Sequence, residues 1–505
     1  MIRLKRLVLN DMRNISHGVL DFDDLPSGGS VTGIYGQNGS GKTTVIDAVG
    51  MLRALLSGSS LPTTAGDAVN ARTGQATMTA LFRIGETDET GETGEKQDRI
   101  RYFEYKVSIR KANPESTRAR VVAESVRIGT DPARLGRELM GHRIKDSETD
   151  GFLSTPAYVW RSIEAIPPVK TVVSRTADRA YMEGRSFLFS RCATLDDRPD
   201  SDFLIDWAIS HARQAAGISA KSLAYINDRF GEFATLRELL HRYAVNDVFV
   251  STTRRGSYAA YALIPIMEEN PTGRNAEFLF DLLQPNPLTP GQADRLRETV
   301  ESFDHILPTI VPGLHVVLKT GTAPSGKDGE DRVTAELFSR RGDITIPFRC
   351  ESEGIIRITA LLGYLKHAYN DDDALVAVDE FDSGVFELLL GDMLRQLADG
   401  CAGQLVFTAH NLRALEVLPN ICIRTTLTDP DNRFAAIPRK SATNNQRKRY
   451  LTASEFGWDG PDIYDSPTPR MFGNSLYAAG HPYPDDDLDD DLERLNSEGS
   501  EAHRG

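Results

Sequence analysis

Cysteine is scarce in this chain of 505 residues: Cys192, Cys350, Cys401 and Cys422 stand far apart, with no C-x-x-C pair and no Cys/His spacing of a zinc site. That excludes a disulfide-built scaffold and a structural zinc module, and leaves four buried free thiols as the expectation. Long apolar runs are missing as well; nothing approaches the roughly 18 residues that a membrane-spanning helix needs. The opening residues, MIRLKRLVLNDMRN, alternate charged and aliphatic side chains as a strand does. They lack the apolar core and small-residue cleavage site of a signal peptide, so the expected location is the cytoplasm. A basic excess is absent too: the formal charge is −14, of which residues 485 to 505, with nine Asp/Glu against two Arg, hold −7. Such an acidic body argues against indiscriminate nucleic-acid binding and leaves only a local basic groove for that role.

What is present is the composition of an ordinary globular protein, 40% hydrophobic and 26% charged, long enough for two or three domains. Strands are expected over 2–9, 18–22 and 30–35, then a helix from about 42 to 56, with Val45, Ile46, Val49 and Leu52 at helical spacing. Three β-rich stretches follow at 77–84, 100–110 and 119–128. The first two are separated by ETDETGETGEKQ (86–97), a polar hairpin tip or disordered insert. From about 200 to 305 the pattern turns mainly helical. In residues 221–243, Leu223, Ile226, Phe230, Phe233, Leu236, Leu240 and Tyr243 form one apolar face. Pro271, Pro285, Pro287 and Pro290 interrupt the stretch and exclude a long coiled-coil arm. A second polar insert, GTAPSGKDGED (321–331), precedes strands at 333–338 and 344–349, and the aspartate-rich end, PYPDDDLDDDLERL, reads as a solvated tail.

GQNGSGKT satisfies G-x-x-x-x-G-K-[ST] with Gly36, Gly41, Lys42 and Thr43, after an expected strand and before an expected helix. Residues Gly36, Gln37, Asn38, Gly39, Ser40, Gly41, Lys42, Thr43 and Thr44 are therefore the candidate phosphate cradle. Backbone N–H groups would curl around phosphate, Lys42 would reach the β/γ-phosphates, and Thr43 would offer its hydroxyl to Mg²⁺. In ALVAVDEFDSG (374–384) a short apolar run, Leu375 to Val378, ends in two carboxylates. That is the pattern of a strand buried on both faces, with Asp379 placed to hold the metal and Glu380 to polarise an attacking water. ESEGIIRITALLGYL (351–365) puts Ser352 and Gly354 at a helix start, with Ile355, Ile358, Leu361, Leu362 and Leu365 on one face, and QLVFTAH (404–410) is a further buried strand ending in His410.

In that order these motifs resemble the ABC-type ATPase heads of the SMC, RecF and OLD group, the AAA-type ATPases of the abortive-infection kind. The likeness rests on residues 1–60 and 340–426 and is one of layout only across 60–340. It implies an α/β P-loop NTPase head, a mixed sheet with an antiparallel β subdomain, and an inserted helical subdomain. The implied division is 1–130 for the first half of the head, 131–310 for a mainly helical insert or lid, 311–440 for the second half, and 441–505 for a basic segment and acidic tail. The resemblance further implies that Ser352 and Gly354 form a signature motif reaching the γ-phosphate held by another subunit, that Asp382 lies in a D-loop, and that His410 is a switch histidine. The signature departs from the transporter pattern, and for a Q-loop only Gln75 offers itself.

The implied activity is ATP hydrolysis with ATP and Mg²⁺ as cofactors, in a homodimer or higher homo-oligomer closed around composite sites. The implied role is control of a separate effector protein, a nuclease or toxin, in antiphage defence. The alternative is a RecF- or SMC-like repair ATPase that clamps DNA. Only 95 residues follow His410, too few for a complete Toprim nuclease after the remaining strands, and residues 130–310 show no metal-ligand cluster or nucleophile with a base at a recognised spacing. SATNNQRKRYL (441–451) resembles a segment near the end of many such ATPases; Arg447, Lys448 and Arg449 are either phosphate or partner contacts or an exposed helix face.

Overall fold

The computed structural model describes residues 1–89, 96–145, 151–193, 199–215, 217–252, 262–269, 275–324, 331–436, 446–456, 462 and 469–480. An antiparallel sheet begins with β1 (Ile2–Met12) and β2 (Ile15–Asp21), then passes through β4 (Ala76–Glu89), β5 (Lys96–Lys111), β6 (Ala119–Gly129), β7 (Met140–Ile144) and β8 (Phe152–Thr155). Its order is β2-β1-β4-β5-β6-β7-β8. Alternate side chains, such as Phe103, Tyr105 and Val107 on β5, point into one apolar core shared with α1 (Lys42–Leu56). This is the period of two that a half-covered strand requires.

The second sheet is the one that positions the site. β3 (Ser30–Tyr35) lies inside it, in the order β11-β18-β19-β3-β20-β21, with β11 (Val248–Ser251), β18 (Leu375–Val378), β19 (Gln404–Thr408) and β20 (Ile423–Thr426) parallel to their neighbours and β21 (Phe434–Ala436) antiparallel. On β18, Leu375 and Ala377 enter the core beneath α1, while Val376 and Val378 enter a second core on the opposite face. A strand covered on both sides must be apolar at every position, which is why LVAV shows no alternation. The second core is closed by α7 (Pro290–Ile310), α8 (Glu353–Asn370) and α9 (Glu387–Gly400), with the hairpin β12 (Leu263–Glu269) and β13 (Asn275–Asp281). A small sheet flanks it, built of β14 (Asn286–Leu288), β16 (Val333–Arg341) and β15 (His315–Thr322), with β17 (Ile344–Pro347) on β16. Gln404 clasps the two large sheets: its side chain accepts from Leu4 N at 2.7 Å and donates to Leu4 O at 3.0 Å.

Helices appear within 131–310 as α2 (Ala157–Glu164), α3 (Pro167–Glu183), α4 (Leu204–Gln214), and α5 (Ala220–Tyr225), which continues through a π-turn into α6 (Gly231–Asn246). The short pair β9 (Arg191–Ala193) and β10 (Pro199–Phe203) interrupts them. The expectation of a mainly helical stretch fails on both sides of this group. β7 and β8 extend the antiparallel sheet, and the described residues between 248 and 288 include the strands β11, β12, β13 and β14, with β11 built into the central sheet beside β18. A four-residue apolar run after a long helix is indistinguishable by period from the helix's own end; only its pairing with β18 makes it a strand.

The helical group is fastened to the antiparallel sheet by one buried carboxylate. Glu124 on β6 accepts from Tyr105 Oη at 2.7 Å, Ser186 Oγ at 2.6 Å, Phe187 N at 2.6 Å and Leu188 N at 3.0 Å. Burial raises its pKa against those donors. Beside it His142 stacks on Phe187 with ring centroids 3.8 Å apart, and burial pushes its pKa down to about 3.

The hairpin tip at 90–95, the insert at 325–330, residues 441–445 and the acidic tail from 481 lie outside the described residues. After α10 (Ala414–Val417), two further helices, α11 (Gln446–Phe456) and α12 (Pro469–Gly480), close the described chain. Among the described residues no helix is long and apolar enough to cross a membrane. Of the cysteines, Cys192, Cys401 and Cys422 are buried and all four are free, whereas Cys350 is exposed.

Candidate nucleotide site

The loop between β3 and α1 turns at three glycines in positive φ, Gly36 (153°), Gly39 (76°) and Gly41 (99°). At Gly36 a side chain is excluded twice over, since a Cβ would sit 1.6 Å from Thr426 Oγ1 at the end of β20. Lys42, the first residue of α1, is buried and turned back on the loop, donating from Nζ to Gly36 O at 2.8 Å and Gln37 O at 3.0 Å. Burial lowers its pKa, and the fields of Asp379, Asp382 and Glu380 work the other way.

β18 ends beside this loop. Asp379, 1% exposed, accepts from Thr43 Oγ1 at 3.1 Å and from Thr408 Oγ1 at 2.7 Å. A hydroxyl and a carboxylate, 336 positions apart in sequence, thus meet at hydrogen-bond distance. Glu380 follows in the left-handed region at φ 48°, with its N–H on Thr408 Oγ1 at 2.8 Å. A non-glycine residue there costs about 1–2 kcal/mol and marks a position over-determined by its surroundings. One determinant is Arg357 of α8, 4% exposed, which donates from Nη2 to the carbonyls of Asp379 (3.1 Å) and Glu380 (3.3 Å).

A pocket of about 380 Å³ opens over these groups. It brings together Asn38, Gly39, Ser40, Gly41, Lys42, Thr43 and Thr44 of the loop with Asp379, Glu380 and His410. Gly36 and Gln37 sit behind it, holding Lys42 by their carbonyls. β19 stops at Thr408, so His410 stands exposed in the following turn. Its N–H and that of Asn411 both donate to Asp382 Oδ2, at 2.9 and 2.6 Å.

Other expected residues stay apart. Ser352 caps α8, accepting from Ile355 N at 3.4 Å, and is exposed; neither it nor Gly354 lines the pocket. Gly354 instead packs against the Gly384 carbonyl, where a Cβ would come within 2.6 Å. Gln75 is not among the pocket residues either, its Oε1 accepting from Arg110 Nε at 3.2 Å.

Arg13 and Asn14 line the pocket without having been expected. They form the tight turn between β1 and β2, with Arg13 at φ 55°. Arg13 donates to Thr44 Oγ1 at 3.2 Å and pairs with Asp47 at 2.6 Å, while Asn14 Nδ2 donates to Gly39 O. A cation and an amide in a two-residue turn ahead of a phosphate loop were the available signal.

Residues 6–147 match the family model described as an AAA domain. No curated protein matches the chain. Among solved structures it is similar to the Smc head domain of Pyrococcus furiosus bound to the C-terminal domain of ScpA, at 12% identity and TM-score 0.36, covering 86% of this chain and 96% of that one. It is also similar to the Smc head with coiled coil and joint from Pyrococcus yayanosii (10% identity, TM-score 0.38, 90% and 100% covered) and to the SMC head domain of Thermotoga maritima (12%, 0.32, 86% and 100%). The P-loop fold itself, a mixed sheet with an antiparallel β subdomain at its side, is read from the strand order alone.

Proposed function

We propose that this protein binds and hydrolyses ATP with Mg²⁺ in a site completed by a second copy, and that its nucleotide state controls a separate effector in bacterial antiphage defence. The observation that carries the ATPase part is the meeting of Thr43 and Asp379 beneath the glycine loop, with Lys42 and Glu380 on the same pocket. Two hard oxygen donors suit Mg²⁺, which keeps waters and phosphate oxygens for its remaining positions. Bound there, the ion would neutralise charge on the phosphates; Thr43 and Asp379 would hold it.

Lys42 is a buried cation resting on two carbonyls that a phosphate oxygen replaces at little cost, because the lysine is already desolvated. Glu380, fixed by Thr408 and Arg357, would orient and deprotonate the attacking water, with His410 and Arg13 facing the γ-phosphate. Ser352 and Gly354 lie outside the pocket of their own chain, which supports a role on the site of another. The N–H groups at the start of an 18-residue helix suit an anion. The defence role rests on the resemblance of the motifs and of residues 441–451, and the cytoplasm is its natural location.

The test is the mass of purified Glu380→Gln protein with and without ATP and Mg²⁺, repeated with short duplex DNA. An ATP-driven doubling without DNA uptake is expected. A mass indifferent to ATP would remove the composite site, and DNA held only with ATP would replace effector control with a DNA clamp.

A further inference from the structure

The turn that carries Arg13 and Asn14 to the pocket is strained. Asp11 and Arg13 both lie in the left-handed region, at φ 52° and 55°, where glycine alone sits without steric cost. An arginine held there implies surroundings that over-determine the turn and a use for the side chain it carries. That side chain donates to Thr44 Oγ1 at 3.2 Å and pairs with Asp47 at 2.6 Å, both near the start of α1, while Asn14 Nδ2 donates to Gly39 O of the glycine loop.

The restraint comes from two segments outside the pocket. On one side Asn70 Nδ2 donates to Arg13 O at 2.6 Å. On the other lies the link between β20 and β21, where Pro430 O accepts from Ser16 N and His17 N, both at 2.9 Å. At the centre of this link is the Arg433 side chain, 5% exposed. Its Nη1 donates to Leu427 O at 2.6 Å and to Thr428 O at 3.3 Å, and its Nη2 donates to Asn14 O at 2.8 Å, across 419 positions of sequence. Burying a guanidinium is costly, but its planar fork can grip carbonyls of two segments at once. A clasp serving only to join β2 to the sheet edge could sit anywhere along that strand. This one grips the residue whose amide holds Gly39, immediately after the left-handed arginine.

We infer that Arg433 is a positioning residue for nucleotide binding: through the Asn14 carbonyl it keeps the turn in its strained form, with Arg13 beside the glycine loop. The inference rests on the ATP site proposed above and adds to it a residue that does not line the pocket. Without the clasp the turn relaxes toward ordinary backbone angles and carries the Arg13 cation off the loop.

The experiment is a double-substitution cycle on the full chain, read by the affinity for mant-ATP with Mg²⁺ and by the unfolding midpoint. Arg13→Ala and Arg433→Ala should each weaken binding about tenfold, the scale of one hydrogen bond from a charged group. The doubly substituted chain should bind no more weakly than Arg13→Ala alone. A general loosening of the fold would not give that result, because its effect would multiply with the loss of Arg13. Arg433→Lys keeps a buried cation without the fork and replaces Arg433→Ala in the cycle if the alanine chain does not fold; its weakening, too, should vanish in the Arg13→Ala background. Losses that multiply, a folded Arg433 variant of the cycle that binds as the parent does, or Arg13→Ala binding as tightly as the parent each overturn the inference and leave the ATP reading standing. A parent chain that does not bind mant-ATP removes the ATP reading and this inference with it.

Discussion

Among the described residues, the buried carboxylates Glu124 and Asp379 stand in opposite surroundings. Glu124, 4% exposed, is met by two hydroxyls and two backbone N–H groups and locks helices onto a sheet. Asp379, 1% exposed, is met by the hydroxyls of Thr43 and Thr408 at the floor of an open pocket, beside a lysine resting on carbonyls and a glutamate in a strained conformation. Burial of charge is common to both. What sets the candidate site apart from the fastening is that it is adjacent to space, to a desolvated lysine and to backbone strain.

Substitutions break the comparison in order of size. Glu380→Gln should lower the turnover number of ATP hydrolysis about 10²- to 10⁴-fold, while equilibrium binding of a fluorescent ATP analogue and the unfolding midpoint stay where they are. Near-normal turnover would remove Glu380 from the chemistry. Glu124→Ala should do the reverse, costing about 3 kcal/mol or more of stability because several buried donors lose their acceptor. Denaturant titration reads this, and nucleotide affinity of the folded protein should not move. If Glu124→Ala impaired hydrolysis without lowering stability, the distinction between the two carboxylates would fail.

Glu380→Gly sharpens the contrast at a single position: it should stabilise the fold by up to about 1 kcal/mol by relieving the left-handed residue, and still abolish turnover. A loss of stability would mean that the carboxylate, not the backbone, holds that turn.

A separate effect is a pH dependence set by a third acid. Burial, helped by Asp373, Asp371 and Asp372, pushes Asp247 from 3.8 up to about 7. A carboxyl whose folded pKa is raised binds more protons folded than unfolded, so stability should fall as pH rises from about 4 to 7. Asp247→Asn should flatten the melting temperature over that window. His142, pushed down from 6.5 to about 3, acts the other way and removes stability as pH drops below about 6.5.

Much of the site was legible in the sequence because its signals are local. The glycine loop, the LVAV strand with its two carboxylates, and the serine that caps α8 each announce themselves within ten residues, and their order fixes the sheet. Arg13 and Asn14 were not legible in the same way, since they reach the pocket from a turn two strands upstream and carry no spacing relative to Lys42. Gln75 fails for a related reason: standing just before β4, it is occupied by a neighbouring strand's arginine. The strand at 248–251 escaped because four residues hold too little period to outweigh the helix before them. What sequence could not supply in each case was the neighbour.

The central sheet places β3, made of residues 30–35, between β19 and β20, made of residues 404–408 and 423–426. On the ribosome the glycine loop emerges early, and Asp379, which meets Thr43 beside it, arrives some 340 residues later. At roughly 5–20 residues per second, that interval lasts tens of seconds, during which the nascent chain has Lys42 and the glycine loop but neither Asp379 nor Glu380. Closing so long a loop is entropically modest but slow. A chain cut short by a nonsense codon or a protease anywhere before β18 lacks the strand that leads to both carboxylates, so the hydrolysis proposed above would require synthesis past that strand.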